Sequence, residues 1–350
     1  MNLDKQKIID KLRQVKYPNY NRDVVSFGLI KDVSIEGKRI IIKLLFGTES
    51  EERKQKIMDA IKSELADLNY ESVNFEVNES AKENKHHGAE IIQEHITGVK
   101  DIIAVASGKG GVGKSTVAVN LAYSLAKLNY KVGLLDADVY GPSIPTMLGT
   151  NEQPKSEENK ILPVEKHNIK IMSIGFFLSS QDDALIWRGP MVMKAVEQLL
   201  FDVKWGELDF LVVDLPPGTG DAQLTLAQRV PISGVVVVTT PQDVALIDAR
   251  KAVNMFNRVD VPILGIVENM SYFVCPHCGK RTDIFSHGGG KITSLRMNVP
   301  FLGEIPIVQS ICEHSDDGIP LDVSEQDKEQ IKYFEQIAQK ISSVIRKQFI

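Results

Sequence analysis

Ile102-Ile103-Ala104-Val105-Ala106-Ser107-Gly108-Lys109-Gly110-Gly111-Val112-Gly113-Lys114-Ser115-Thr116 decides how the rest of the sequence is read. An apolar run ends in a glycine-dense turn, and the turn opens into the helix-compatible Val117-Ala118-Val119-Asn120-Leu121-Ala122. Gly108, Gly113, Lys114 and Ser115 satisfy G-x-x-x-x-G-K-[ST], the spacing of a phosphate-binding loop. The glycines let the backbone curl until successive N–H groups face one anion. A helix starting at Lys114 aims its positive end at the same point. In such a loop Lys114 reaches the β- and γ-phosphates, and the Ser115 hydroxyl ligates Mg²⁺. Lys109 is extra. A phosphate served by backbone amides and Lys114 needs no second cation from the same chain, so Lys109 is either a solvated charge or reaches a nucleotide held by another subunit.

Length and charge narrow the classes. The 350 residues suffice for two domains and a large core. With 41 basic and 46 acidic residues the net charge is −5, which argues against a general binder of nucleic acid or acidic lipid. No apolar run approaches the roughly 20 residues that span a bilayer, and Met1-Asn2-Leu3-Asp4-Lys5-Gln6-Lys7 lacks the apolar core of a signal peptide. Three cysteines, two of them closely spaced, suit a reducing cytosol and a metal site better than a disulfide framework. The expected location is cytoplasmic, with no nucleic-acid or membrane partner.

Upstream of the loop, residues 1–78 read as a small α+β domain. An apolar helical stripe runs over residues 3–15, strands over 24–33 and 39–46, a helix over 50–68 and a strand over 73–77. Residues 79–99 form a polar linker whose Lys85-His86-His87-Gly88 carries solvent-exposed histidines with no assigned role. Residues 100–350 form the phosphate-loop domain. There, strands and helices alternate, which predicts an α/β fold with a doubly wound, mostly parallel sheet. Strands end at Asp136-Ala137-Asp138, at Asp214, at Thr240 and just before Asn269, and ligands of such sheets bind beyond the carboxyl ends of the strands. Asp214 closes an apolar strand as a carboxylate that holds Mg²⁺ does. Pro216-Pro217-Gly218-Thr219-Gly220 gives a stiff start and a flexible hinge suited to sensing a γ-phosphate. Asp138 is assigned to orient the attacking water, and Asp136 to a structural or Mg²⁺-shell role.

These motifs resemble a known family. Gly108 to Thr116 looks like the deviant phosphate loop of the ParA/MinD superfamily. Asp136 to Ser143, Trp187-Arg188-Gly189-Pro190-Met191, Asp214 to Asp221, Val267-Glu268-Asn269-Met270-Ser271 and Cys275-Pro276-His277-Cys278 look like its Mrp/ApbC branch. The resemblance implies a nucleotide site formed by Gly108, Lys109, Gly110, Gly111, Val112, Gly113, Lys114, Ser115 and Thr116. It also implies ATP sandwiched in a homodimer, Lys109 reaching into the partner's site, Asn269 contacting adenine, and Arg188 near the nucleotide or the interface. The N-terminal domain resembles the small domain of iron–sulfur assembly factors. However, Gly47-Thr48-Glu49-Ser50-Glu51-Glu52 stands where that family has a cysteine-bearing segment, which favours a docking or dimer-supporting role.

Cys275-Pro276-His277-Cys278-Gly279 is a tight knuckle, and half of a zinc ribbon looks the same. A tetrahedral zinc or a four-iron cluster wants four ligands, and this knuckle supplies two. Two chains around one centre on a two-fold axis complete the set. The resemblance implies a bridging [4Fe–4S] cluster, with structural zinc as the other occupant. Cys312 reads as a buried free cysteine in a loop after the last strand; His277 and His287, the latter in a glycine-rich turn, are assigned no ligand role. The last helix, over residues 324–348, has an apolar stripe that suits packing on the sheet. The expected function is an ATP- and Mg²⁺-dependent carrier that hands an iron–sulfur cluster from scaffold proteins to apoproteins. Rivals are a ParA/MinD-like positioning switch, a zinc-bridged dimeric ATPase and a small-molecule kinase or ligase.

Overall fold

The structure, a computed structural model, describes residues 5–15, 24–25, 29–46, 51–68, 70–79, 93–139, 141–177, 189–319, 321 and 328–347. Arg188, His86, His87 and residues 47–50 lie outside the described residues. The chain divides into two compact units, Met1–Glu90 and Ile91–Ile350.

The first unit runs α1 (Lys5–Leu12), β1 (Ile30–Glu36), β2 (Arg39–Phe46), α2 (Glu51–Leu65) and β3 (Ser72–Glu79). β1 and β2 form an antiparallel hairpin, and β3 joins β2 in parallel after the α2 crossover. Periodicity explains the core: Ile8 and Leu12 of α1, alternate Ile40, Ile42 and Leu44 of β2, and Ile57, Ile61 and Leu65 of α2 are all buried. The first strand is shorter than the apolar run predicts. The Val24 N–H donates to the Val15 carbonyl, in a turn rather than in the sheet.

The second unit continues with β4 (Val99–Ser107), α3 (Lys114–Lys127), β5 (Val132–Asp136), α4 (Ile144–Met147), β6 (Ser156–Glu157), β7 (Lys160–Ile161), β8 (Val164–Lys166) and β9 (Ile169–Ser173). Next come α5 (Gly189–Phe201), β10 (Leu208–Asp214), α6 (Asp221–Arg229), β11 (Gly234–Thr239), α7 (Asp243–Arg258) and β12 (Ile263–Glu268). The unit closes with β13 (Phe273–Val274), β14 (Arg281–Thr282), α8 (Gly289–Met297), β15 (Phe301–Glu304), α9 (Gln309–Asp317) and α10 (Lys328–Lys347). An eight-stranded sheet has the order β15-β12-β11-β4-β10-β5-β9-β8. Its strands are parallel except β8, which runs against β9. The fold is α/β and doubly wound. Strands laid down after β4 go to either side of it, so its carboxyl end is the switch point where such sheets open a crevice. Continuous apolar runs follow from coverage of both faces: every residue of β5 and β11 is buried.

α10 lays Ile331, Phe334, Ile337, Ile341 and Ile345 inward against α3 and β15. Among the described residues, no helix is long and apolar enough to cross a membrane.

Candidate functional site

The loop at the end of β4 is shaped by close approaches and by left-handed backbone. Gly108 lies against α7, where a Cβ would come within 2.2 Å of the Asp248 carbonyl carbon. Gly111 and Gly113 have φ of 77° and 78°, so a side chain at either would strain the curl. Gly110 and Gly111 are exposed, with open space where a Cβ would stand, so their backbone is accessible from solvent. The Ser107 hydroxyl donates to the Lys109 carbonyl at 2.9 Å, and the Gly218 N–H donates to the Ser107 carbonyl at 3.0 Å. The hinge after Asp214 is thereby tied to the loop.

α3 starts at Lys114, whose side chain is 6 % exposed. Its Nζ lies 2.5 Å from Asp214 Oδ1, and the Ser115 hydroxyl donates to Asp214 Oδ2 at 2.5 Å. Asp138 Oδ2 is 3.9 Å from Lys114 Nζ. Asp136, in register with Asp214 on the neighbouring strand, accepts from the Asp138 and Ile144 N–H groups and from the Ser173 hydroxyl, at 3.2, 3.2 and 3.1 Å. The Asn269 amide donates to the Val112 carbonyl at 2.9 Å and presses on Gly113, so in this structure it buttresses the loop. Lys109 is half-buried in the loop, and Thr116 half-buried on the first turn of α3.

One lysine thus faces three carboxylates. Burial pushes both Asp136 and Asp214 upward; Lys114 and the Ser115 hydroxyl pull Asp214 back. The proton therefore rests on Asp136, raised to about 8 by burial and by the neighbouring Asp214 charge. The folded protein holds this proton after the unfolded chain, with an ordinary carboxyl near 3.8, has released it. Stability from this group is full below about pH 4, falls as pH rises, and levels off above about pH 8. Asp136→Asn imitates the protonated acid. In nucleotide-free melts, the variant-minus-wild-type difference in Tm should move in favour of the variant from about pH 4 to about pH 8 and stay constant above. A difference that does not change with pH would rule out the buried proton.

The cysteines lie on an excursion between β12 and α8. β13 and β14 pair antiparallel, with Val274 opposite Arg281. The Cys275 N–H donates to the Lys280 carbonyl at 3.0 Å and the Gly279 N–H to the Cys275 carbonyl at 2.9 Å, while Gly279 takes φ of 67° to close the turn. Hydrogen bonds from the Cys278 and His277 N–H groups, and from the Cys278 thiol, hold the Cys275 thiol below its usual range. That favours the metal-binding thiolate. Cys275 is half-buried and Cys278 exposed. Among the described residues, no group of three metal-ligating side chains includes either.

Cys312 departs from expectation. It is exposed, not buried, and stands on α9 rather than in a loop, with its thiol 3.8 Å from Asp316 Oδ2. Ile311 takes the inward face of that helix, which turns its successor to solvent. Sequence reasoning also missed Glu268, a fully buried carboxylate ending β12. The rule that singled out Asp214, an acid closing an apolar strand, applies to it equally.

Residues 98–342 match the ParA family described as NUBPL iron-transfer P-loop NTPase, and residues 5–77 match an iron–sulfur cluster assembly protein family. The iron–sulfur cluster carrier protein of Aquifex aeolicus is 55 % identical over 257 residues, 72 % of this chain and 70 % of that protein. The carrier protein of Helicobacter pylori is 38 % identical over 348 residues, 99 % of this chain and 94 % of its own. Among solved structures, a nucleotide-binding protein in complex with ADP from Archaeoglobus fulgidus superposes with a TM-score of 0.58 at 40 % identity, covering 66 % of this chain and 91 % of that one. The cell division ATPase MinD of Pyrococcus furiosus shares the fold, with a TM-score of 0.52 at 23 % identity over 70 % of this chain and 99 % of that one.

Proposed function

The chain belongs to the NUBPL iron-transfer P-loop NTPase family, and from this we infer that it is an ATP-hydrolysing carrier that binds an iron–sulfur cluster across a homodimer and hands it to apoproteins. One observation carries the reading: a single domain holds both the Lys114–Ser115–Asp214 constellation and a two-thiol hairpin that lacks further ligands of its own among the described residues. Two such hairpins supply the four thiolates of a [4Fe–4S] cargo.

ATP lies along residues 108–116, its phosphates against the loop backbone, with Asn269 bracing the loop beneath it. Lys114 exchanges Asp214 for phosphate oxygens. Asp138 orients a water for attack on the γ-phosphorus; the bond to the β–γ bridging oxygen breaks, releasing ADP and phosphate. The Ser115 hydroxyl and the Asp214 carboxylate are hard oxygen donors that fit Mg²⁺, which when bound neutralises charge on the β- and γ-phosphates. Turnover remodels the interface between chains and thereby exposes the cargo. The small N-terminal unit serves as a docking or dimer-supporting module and brings no thiolate, since cysteines occur only at 275, 278 and 312.

Anaerobic reconstitution with ferrous iron and sulfide tests the carrier reading. Wild type should bind one cluster per two chains and pass it to an apoprotein. Cys275→Ala/Cys278→Ala should lose both abilities while still hydrolysing ATP, because neither thiol belongs to the Lys114–Ser115–Asp214 constellation. Cluster binding and transfer that survive the double substitution, or a wild type that takes up only zinc, would overturn it.

A further inference from the structure

We propose that Glu268 is the positioning residue of the cysteine hairpin: it ties the two ends of the 271–288 excursion together and, through Asn269, ties both to the phosphate loop. The role assigned to the hairpin rests on the carrier reading. The Glu268 carboxylate is fully buried. Its Oε1 accepts the Ser271 hydroxyl at 2.6 Å and the Gly288 N–H at 3.0 Å; its Oε2 accepts the Gly290 N–H. Ser271 is where the chain leaves the sheet for the hairpin, and Gly288 to Gly290 is where it returns as α8. Cys275 and Cys278 lie between these ends. The approach is close enough that a Cβ on Gly290 would come within 2.9 Å of Glu268 Cβ.

A second carboxylate repeats the arrangement from the edge strand. Glu304 is in register with Glu268; its Oε2 lies 2.8 Å from His287 Nε2 and 3.5 Å from the Ser271 hydroxyl. Ligand atoms of Glu268, His287 and Glu304 sit within 4.8 Å of one another, a spacing that would admit a cation. The Glu268 oxygens, however, already accept three donors from the chain itself, so they are engaged without a metal ion. The cluster is a clamp. Its link to the nucleotide site is one residue long. Asn269 follows Glu268, anchors its N–H on the Thr239 carbonyl and donates its side-chain amide to the Val112 carbonyl. A loop that tightens on phosphate therefore pulls on the base of the hairpin.

Thiol alkylation of the cluster-free full chain reads this directly and needs no iron. In a Cys312→Ser background, iodoacetamide rates at Cys275 and Cys278 are measured with and without a non-hydrolysable ATP analogue. Nucleotide should change the rates by about fivefold or more, the lower range of allosteric coupling. Glu268→Gln, which sets an amide against the N–H donors, should speed alkylation and erase the nucleotide dependence while changing analogue affinity by no more than about the same fivefold factor. Rates indifferent to nucleotide before that substitution, or a dependence that survives it, overturn the proposal. If Glu268→Gln does not fold, His287→Ala loosens only the return end; it should shift the rates in the same direction by less, and an unshifted dependence again overturns the proposal. A chain that binds no cluster but keeps nucleotide-linked thiols would refute the carrier reading and leave this clamp standing.

Discussion

Lys114→Ala is expected to cost stability as well as catalysis. Its Nζ is 2.5 Å from Asp214 Oδ1 in a pocket that also holds Asp136, and neither carboxylate is exposed. Removing one partner of a buried pair strands the other charge, at a cost of roughly 3–5 kcal/mol. The pocket relieves this by taking up a proton on Asp214, so the loss should be smaller in acid and grow with pH. Denaturant titrations of the nucleotide-free protein at several pH values measure it. Adding Asp214→Asn removes the stranded charge, so the double variant should recover much of the stability while remaining inactive. Hydrolysis in the single variant should fall by about 10³-fold, the upper range for loss of one transition-state donor. Stability equal to wild type at every pH would mean that the Lys114–Asp214 pair contributes nothing to the resting site.

The same pocket shows which features are legible in the sequence. Buried parallel strands must be apolar on both faces, so β4, β5, β10, β11 and β12 stand out as apolar runs, and Asp136 and Asp214 at the ends of β5 and β10 mark the rim. Contacts made across the chain are not legible in this way. The proton on Asp136 depends on register with Asp214, and the clamp at Glu268 depends on α8 folding back to meet it. Exposure of Cys312 turns on which side of α9 meets the core, and Ile311 and Cys312 as neighbours leave that choice open. Local motifs name the atoms of a site, and tertiary register decides their charge and partners.

Lys109→Ala is expected to separate binding from hydrolysis. Lys109 stands between Gly108, pressed on α7, and Gly110, which faces open space. Among the described residues it makes no ion pair. Among those residues its charge is not spent, in contrast to that of Lys114. If it completes the partner's site, its loss should lower turnover by about 10³–10⁵-fold, the worth of a cation delivered in trans to a transferring phosphoryl group. ATP affinity should change little, because the backbone cradle and Lys114 remain. Equal losses in affinity and turnover would make Lys109 an ordinary contact within one chain. Mixing gives a stricter test. Asp138→Asn silences its own site in the proposed mechanism but keeps Lys109, whereas Lys109→Ala keeps its own site and offers nothing to its partner. In a one-to-one mixture half the dimers pair the two variants, and each such dimer has one complete site. Two nearly inactive preparations should together recover about a quarter of the wild-type rate. A mixture no more active than its parts would place Lys109 outside the partner's site.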